Sequence, residues 1–173
     1  MIDLKSRVLI LDGGMGTMLR RYDTAGRFTG EWARYSGCND LLAIIAPDII
    51  SDIHRQYLHA GADIISTNSF NTNAISLADH GLADRVYDMA LASARVARSV
   101  ADDFSTPGRP RYVAGSMGPT NRTLSMSARV DAPGEREVTC AQMRDAFAEQ
   151  ARGLIDGGAD MLLVETVFDT LNA

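Results

Sequence analysis

With 46% hydrophobic and 23% charged residues, a chain of 173 residues is long enough to bury one globular core. Its formal charge of -5 and pI of about 5.1 exclude the basic face that a nucleic acid or an anionic membrane would select. No apolar run approaches the roughly 18 residues of a membrane span, and the apolar opening 8–11 is cut at once by Asp12 and Gly13. The expectation is a cytoplasmic protein whose two cysteines, Cys38 and Cys140, are free thiols without zinc spacing.

Four short apolar runs read as buried strands: 8–11, 64–65, 112–114 and 161–164. The first leads into Asp12-Gly13-Gly14-Met15-Gly16-Thr17. A carboxylate at a strand end followed by glycines can hold an ammonium while bare backbone N–H groups take a carboxylate; a tight turn capped by Asp12 is the plainer alternative. A helix follows Pro47, with Ile49, Ile50, Ile53, Tyr57 and Leu58 on one face, and Gly61 ends it. After the second strand come Thr67, Asn68, Ser69, Phe70, Asn71, Thr72 and Asn73, which either orient a small polar substrate or form a helix cap and an Asn-rich turn.

A second helix is expected over 83–102, from Val86, Met89, Ala90, Ala94, Ala97 and Val100 at spacings of three and four. The third strand runs into Gly115-Ser116-Met117-Gly118-Pro119-Thr120-Asn121-Arg122, a loop whose Asn121 and Arg122 read mainly as stabilising. Thr139 and Gln142 form a capping-box pattern ahead of a third helix with Met143, Ala146, Phe147, Leu154 and Ile155 on its apolar face. Glu165 closes the fourth strand. A carboxylate there is costly unless it faces a polar cleft or a cation, and Arg122 is one possible partner. Asp169 reads as the N-cap of a further helix. His54, His59 and His80 have no metal spacing and read as surface residues.

Ala60-Gly61-Ala62-Asp63-Ile64-Ile65 recurs 97 residues later as Gly157-Gly158-Ala159-Asp160-Met161-Leu162. A repeated helix, Gly-Ala-Asp turn and buried strand is what successive αβ units of a parallel sheet produce. Between an open doubly wound sheet and a closed (β/α)8 barrel, the glycine loop decides. Gly14 and Gly16 supply G-x-G, but Leu19 stands where the dinucleotide fingerprint needs glycine. Polar groups at all four strand ends suit a barrel. Such a barrel takes about 250 residues, so the fold class expected is α/β, the N-terminal half of a (β/α)8 barrel with about four parallel strands, residues 1–173 forming part of a single domain.

The glycine loop, Asn39-Asp40-Leu41-Leu42, the Gly-Ala-Asp repeat and Thr67-Asn68-Ser69-Phe70 resemble, in order, the homocysteine S-methyltransferase family. Gly118-Pro119-Thr120-Asn121-Arg122-Thr123 and the closing Glu165-Thr166-Val167-Phe168-Asp169-Thr170-Leu171-Asn172-Ala173 resemble its cobalamin-dependent methionine synthase branch. The resemblance implies methyl transfer from methylcobalamin, recharged by methyltetrahydrofolate, to a zinc-bound homocysteine thiolate. It implies that Asp12 and Glu165 contact the homocysteine ammonium, that the backbone of Gly13, Gly14, Met15, Gly16 and Thr17 contacts its carboxylate, and that Thr67 and Asn68 line the cleft. The family's three zinc cysteines are expected beyond Ala173, and neither Cys38 nor Cys140 matches one. Zinc and methylcobalamin are thus expected for a complete protein with the rest of the barrel and folate and cobalamin modules, and neither bound to this chain alone. Departures from the family pattern are Gly14, where alanine is common, and Ser66, where glutamate is often found. Two rivals stand beside this reading: a stand-alone enzyme using betaine or S-methylmethionine, and a non-catalytic half-barrel that self-associates through open strand edges.

Overall fold

The structure, a computed structural model, describes residues 7–24, 26, 35 and 37–172. Three strands, β1 (Ile64–Ser66), β2 (Tyr112–Met117) and β3 (Met161–Val164), form a parallel sheet in that order. Among the described residues the α-helices are α1 (Met15–Thr24), α2 (Leu42–Ile45), α3 (Pro47–His59), α4 (Ala74–Leu77), α5 (Val86–Phe104) and α6 (Cys140–Asp156). Helix α5 connects β1 to β2 and α6 connects β2 to β3, the βαβ arrangement that a parallel sheet requires. No helix among the described residues is long and apolar enough to cross a membrane.

Side chains alternate along each strand, so the sheet has two faces of different character. Ile65 and its register partner Val113 pack against Leu58 of α3 and against Ala97 and Val100 of α5. Met117 packs with Ala90, Ala94 and Leu154. The helices therefore cover one face. The alternate positions, Ser66 and Ser116, belong to the other face, together with Ala114 and Leu163.

The run 8–11 does not become a fourth ladder. Leu11 makes one isolated parallel bridge to Ile64. Ile10 O accepts from Asp63 N at 2.8 Å and Ile64 N at 3.0 Å, and Asp12 N donates to Ile64 O at 2.9 Å. The Ile10 N–H that a regular strand would present to a neighbour goes instead to the Asp63 carboxylate at 3.2 Å.

That bond explains the sequence repeat. Asp63 N donates to Ile10 O while Asp63 Oδ2 accepts from Ile10 N. Asp160 N donates to Val113 O at 2.9 Å while Asp160 Oδ2 accepts from Val113 N at 2.7 Å. Each Gly-Ala-Asp turn thus clamps the start of the preceding strand with one residue. The glycine preceding the Ala-Asp pair takes a left-handed conformation in both copies, Gly61 at φ 111° and Gly158 at φ 98°, which side-chain-bearing residues rarely adopt. Arginines complete the clamps: Arg7, Arg109 and Arg111 surround Asp63 Oδ1, and Arg98 binds Asp160.

Helix boundaries follow local chemistry. Pro47 sits in the first turn of α3. Thr139 and Gln142 form the full capping box of α6. Helices α5 and α6 are in close contact at Gly153, where a Cβ would lie 2.7 Å from Tyr87 O and 2.8 Å from Ala90 Cβ. Two expectations change. Ile155 is exposed on α6 rather than part of its buried stripe, because Leu154 takes the position facing the sheet. His54 is fully buried on α3, not on the surface, because the turn that buries Ile50, Ile53 and Leu58 carries it inward.

Candidate functional site

The polar strand ends meet at two carboxylates. Asp12 is half-buried just past the Leu11 bridge, and its carboxylate accepts from Ser66 N at 2.8 Å and Ser66 Oγ at 2.9 Å. Glu165 follows β3, and its Oε1 accepts from Ser116 Oγ at 2.6 Å. Each carboxylate is therefore held by a serine of a neighbouring strand. Burial raises the Asp12 pKa to about 6; the Ser66 hydrogen bonds oppose that rise, and the Glu165 charge adds to it. The two acids thus feel one another across the strand ends.

Arg122 does not pair with Glu165. It lies 3.3 Å from Glu137 and 3.8 Å from Asp79, while Asn121 also bonds Asp79, so this loop is tied to other carboxylates. The cleft-facing acids keep no arginine partner among the described residues. Among the described residues, the donors that reach them are the Ser66 amide and the Ser66 and Ser116 hydroxyls.

The glycine loop leads into the N-terminus of α1 at Met15. Gly13 passes close to Tyr57, whose ring atoms would lie 3.1 Å from an added Cβ, and Tyr57 Oη donates to Gly14 O at 3.1 Å. Among the described residues nothing lies within 4 Å of where a Cβ would stand on Gly16. First-turn N–H groups have no partner inside their own helix and suit an anion.

Thr67 and Asn68 stand at the end of β1, but both are buried and spend their polar groups on the protein. Thr67 Oγ1 accepts from Ser116 N at 2.9 Å, and Asn68 Nδ2 donates to Asn39 O at 2.8 Å. The rest of the polar stretch is scaffold as well. Asn71 N and Thr72 Oγ1 donate to the buried Asp40 carboxylate, and Asn73 caps α4 by accepting from Ser76 N. Ser66 and Ser116 are the residues that sequence reasoning missed as site members. Their signal was their place in the strands, small hydroxyls at positions that alternate with Ile65 and Met117 on the face away from the helices.

Directly after Glu165, Thr166 has φ 55°, left-handed for a β-branched residue, which marks the strand end as a strained turn. Asp169 is buried and braces the neighbouring loop. Its Oδ2 accepts from Leu124 N and Ser125 N, both at 3.0 Å, and its Oδ1 accepts from Leu171 N two residues on, closing a turn rather than capping a described helix. An apolar recess beside Glu165 is lined by Met117, Phe147, Val164 and Phe168. Met117 and Val164 are register partners on the helix-facing side, and Glu165 and Asp169 also line the recess, which therefore adjoins the carboxylate.

Neither thiol fits a zinc site. Cys38 is buried, and burial together with the Asp40 charge pushes its thiol up to about 11. Cys140 is exposed at the start of α6. Among the described residues no three His, Cys, Asp or Glu side chains are grouped to hold a metal ion.

The sequence model of the homocysteine S-methyltransferase family matches residues 9–173. The chain belongs to this family. Its fold is similar to that of the homocysteine methyltransferase MmuM from Escherichia coli. The metallated form superposes with a TM-score of 0.73 at 22% identity, covering 97% of this chain and 57% of that one. The oxidised form gives 0.71 at 22% identity, with 97% and 56% covered. The chain thus spans little more than half the length of these solved relatives.

Proposed function

We propose that this chain is the homocysteine-gripping part of a methyltransferase, in which Asp12 and Glu165 bind the substrate ammonium and the Gly13–Thr17 backbone binds its carboxylate. The observation that carries this reading is the pairing of two interacting carboxylates, without an arginine partner among the described residues and each oriented by a strand serine, beside the N-terminus of α1. An amino acid presents those two opposite charges on one carbon. The carboxylate pair and the α1 amides would fix that carbon and leave the side chain, with its sulfur, free to extend away from both.

The larger assignment follows the sequence. The complete domain is a (β/α)8 barrel, and the methyl group comes from methylcobalamin, recharged by methyltetrahydrofolate on further modules. The stretches 118–123 and 165–173 support this branch over a stand-alone enzyme using another donor. Zinc would supply thiolate activation, and the residues described here do not form its site, so no step is derived through it.

Titration calorimetry with homocysteine tests the grip. Binding is expected for the wild type, and Glu165→Gln should weaken it by roughly 10- to 100-fold, the loss of one charge-assisted contact of about 1.5–3 kcal/mol. Equal affinity in the variant would remove Glu165 from the site.

A further inference from the structure

Strand β2 runs to Met117 whereas its neighbour β1 ends at Ser66, opposite Ala114. The Ser116 peptide groups are therefore left without a strand on the β1 side, while β3 lies on the other. Side chains fill the gap. Ser116 N donates to Thr67 Oγ1 at 2.9 Å, and Ser116 O accepts from Ser69 Oγ at 2.7 Å and from Gln150 Nε2 at 3.2 Å. Gln150 Nε2 also donates to Ser69 O at 2.7 Å. Because the single Ser69 proton goes to Ser116 O, Thr67 must be the donor in its 2.6 Å contact with Ser69 Oγ. The proton count closes, and every member is buried.

Gln150 is the member that needs explaining. It lies fully buried in α6, on the stripe that also buries Met143, Ala146 and Leu154, where an apolar residue would suffice. Its Oε1 has no partner among the described residues, so only its donor side is used. The two bonds it makes converge on Ser69 and Ser116, and Ser116 Oγ ends the chain on Glu165.

We infer that Gln150 is a positioning residue for Glu165, acting through Ser116, and that it fixes where the carboxylate meets the substrate ammonium. This rests on the proposed grip for its substrate, but the brace itself is independent of any ligand. Gln150 tethers the end of β2, Ser116 presents its hydroxyl at one angle, and Glu165 is kept within electrostatic reach of Asp12.

Asp12 reports on the brace, since part of its elevated pKa comes from the Glu165 charge. The experiment is a carboxyl-carbon NMR titration of Asp12 in the wild type, Gln150→Met and Ser116→Ala, each repeated in a Glu165→Gln background. Gln150→Met keeps the side-chain volume and removes the unpartnered acceptor; Ser116→Ala removes only the last hydroxyl and guards against a folding defect in the first. The expected result is an Asp12 midpoint lowered from about 6 in both variants, with no further change once Glu165 is Gln. Homocysteine affinity should fall roughly three- to tenfold alongside, the size of one weakened hydrogen-bonded contact. An unmoved Asp12 midpoint in both variants, or an equal shift with and without Glu165, would make Gln150 a core residue and overturn the inference. Wild-type protein that fails to bind homocysteine while the Asp12 shift still depends on Glu165 would overturn the substrate reading and support the brace.

Discussion

Asp12 accepts two hydrogen bonds from Ser66, one from its backbone N at 2.8 Å and one from Oγ at 2.9 Å. The burial that brings them together also makes the ionised carboxylate costly, which is why its pKa rises to about 6 despite both bonds. An ammonium ligand needs the ionised form. Homocysteine affinity should therefore be flat above about pH 7 and fall close to tenfold per unit below about pH 6. Ser66→Ala removes one opposing bond and should move that midpoint upward. Calorimetric affinities across pH 5–8 check both statements, and a flat profile would exclude Asp12 as the ammonium partner.

The same residue links stability to function. A carboxylate whose folded pKa is raised binds its proton more tightly in the folded state, so stability is lost as pH rises from about 3.8 to about 6. Asp12→Asn removes that cost. At pH 7.5 the variant is expected to be more stable by on the order of 2 kcal/mol and unable to bind homocysteine. Urea unfolding of the ligand-free protein measures the first part; a destabilised variant would show that the carboxylate is structural.

His54 works in the opposite direction. Burial lowers its pKa to about 4, and neither ring nitrogen has a hydrogen-bond partner among the described residues. The unfolded chain binds the proton more readily between that value and about 6.5, so stability is full above pH 6.5 and lost as pH falls through the window. The Asp12 and His54 slopes oppose one another between about pH 4 and 6 and partly cancel in the wild type. His54→Leu should expose the Asp12 slope, with stability falling as pH rises; Asp12→Asn should expose the His54 slope. Identical pH–stability curves for all three proteins would refute the assignment.

Much of this was legible in the sequence because it is local or periodic. The α3 stripe, the capping box of α6 and the Gly-Ala-Asp repeat each follow from spacing alone. What escaped were partners brought together by register. Ser66 and Ser116 carry no motif, and their role appears only when β1, β2 and β3 lie side by side. Arg122 is one possible partner for Glu165 on charge alone, yet folding carries it to Asp79 and Glu137. His54 reads as a surface residue when only metal spacing is considered, whereas its place one residue after Ile53 puts it in the buried turn.

The repeat also predicts unequal consequences for equal substitutions. Asp63 is almost fully buried and meets Arg7, Arg109 and Arg111; its carboxyl is held below the usual carboxylate range, with burial outweighed by the Ile10 N–H and the arginines. Asp160 is more open and meets Arg98. Asp63→Asn leaves Arg111 buried beside two further cations, so a loss of about 3–5 kcal/mol is expected, against about 1 kcal/mol for the better-solvated Asp160→Asn. Chemical denaturation of the two variants gives the comparison, and equal losses would mean that the backbone clamp dominates over the arginines.

Gly153 sets how closely α5 and α6 approach. An added methyl would meet Tyr87 O at 2.7 Å, a backbone atom that cannot swing aside, and Ala90 Cβ at 2.8 Å. Alanine favours an isolated helix over glycine by roughly 0.5–1 kcal/mol, but overpacking typically costs about 1–3 kcal/mol, so the clash should win. Gly153→Ala is expected to destabilise the protein and, by pushing α6 off the sheet, to loosen the Gln150 bonds to Ser69 and Ser116 three residues back along the same helix. Thermal melts read the first effect and the Asp12 titration reads the second. A stabilised variant with an unchanged Asp12 midpoint would show that the helices can part without disturbing the strand ends.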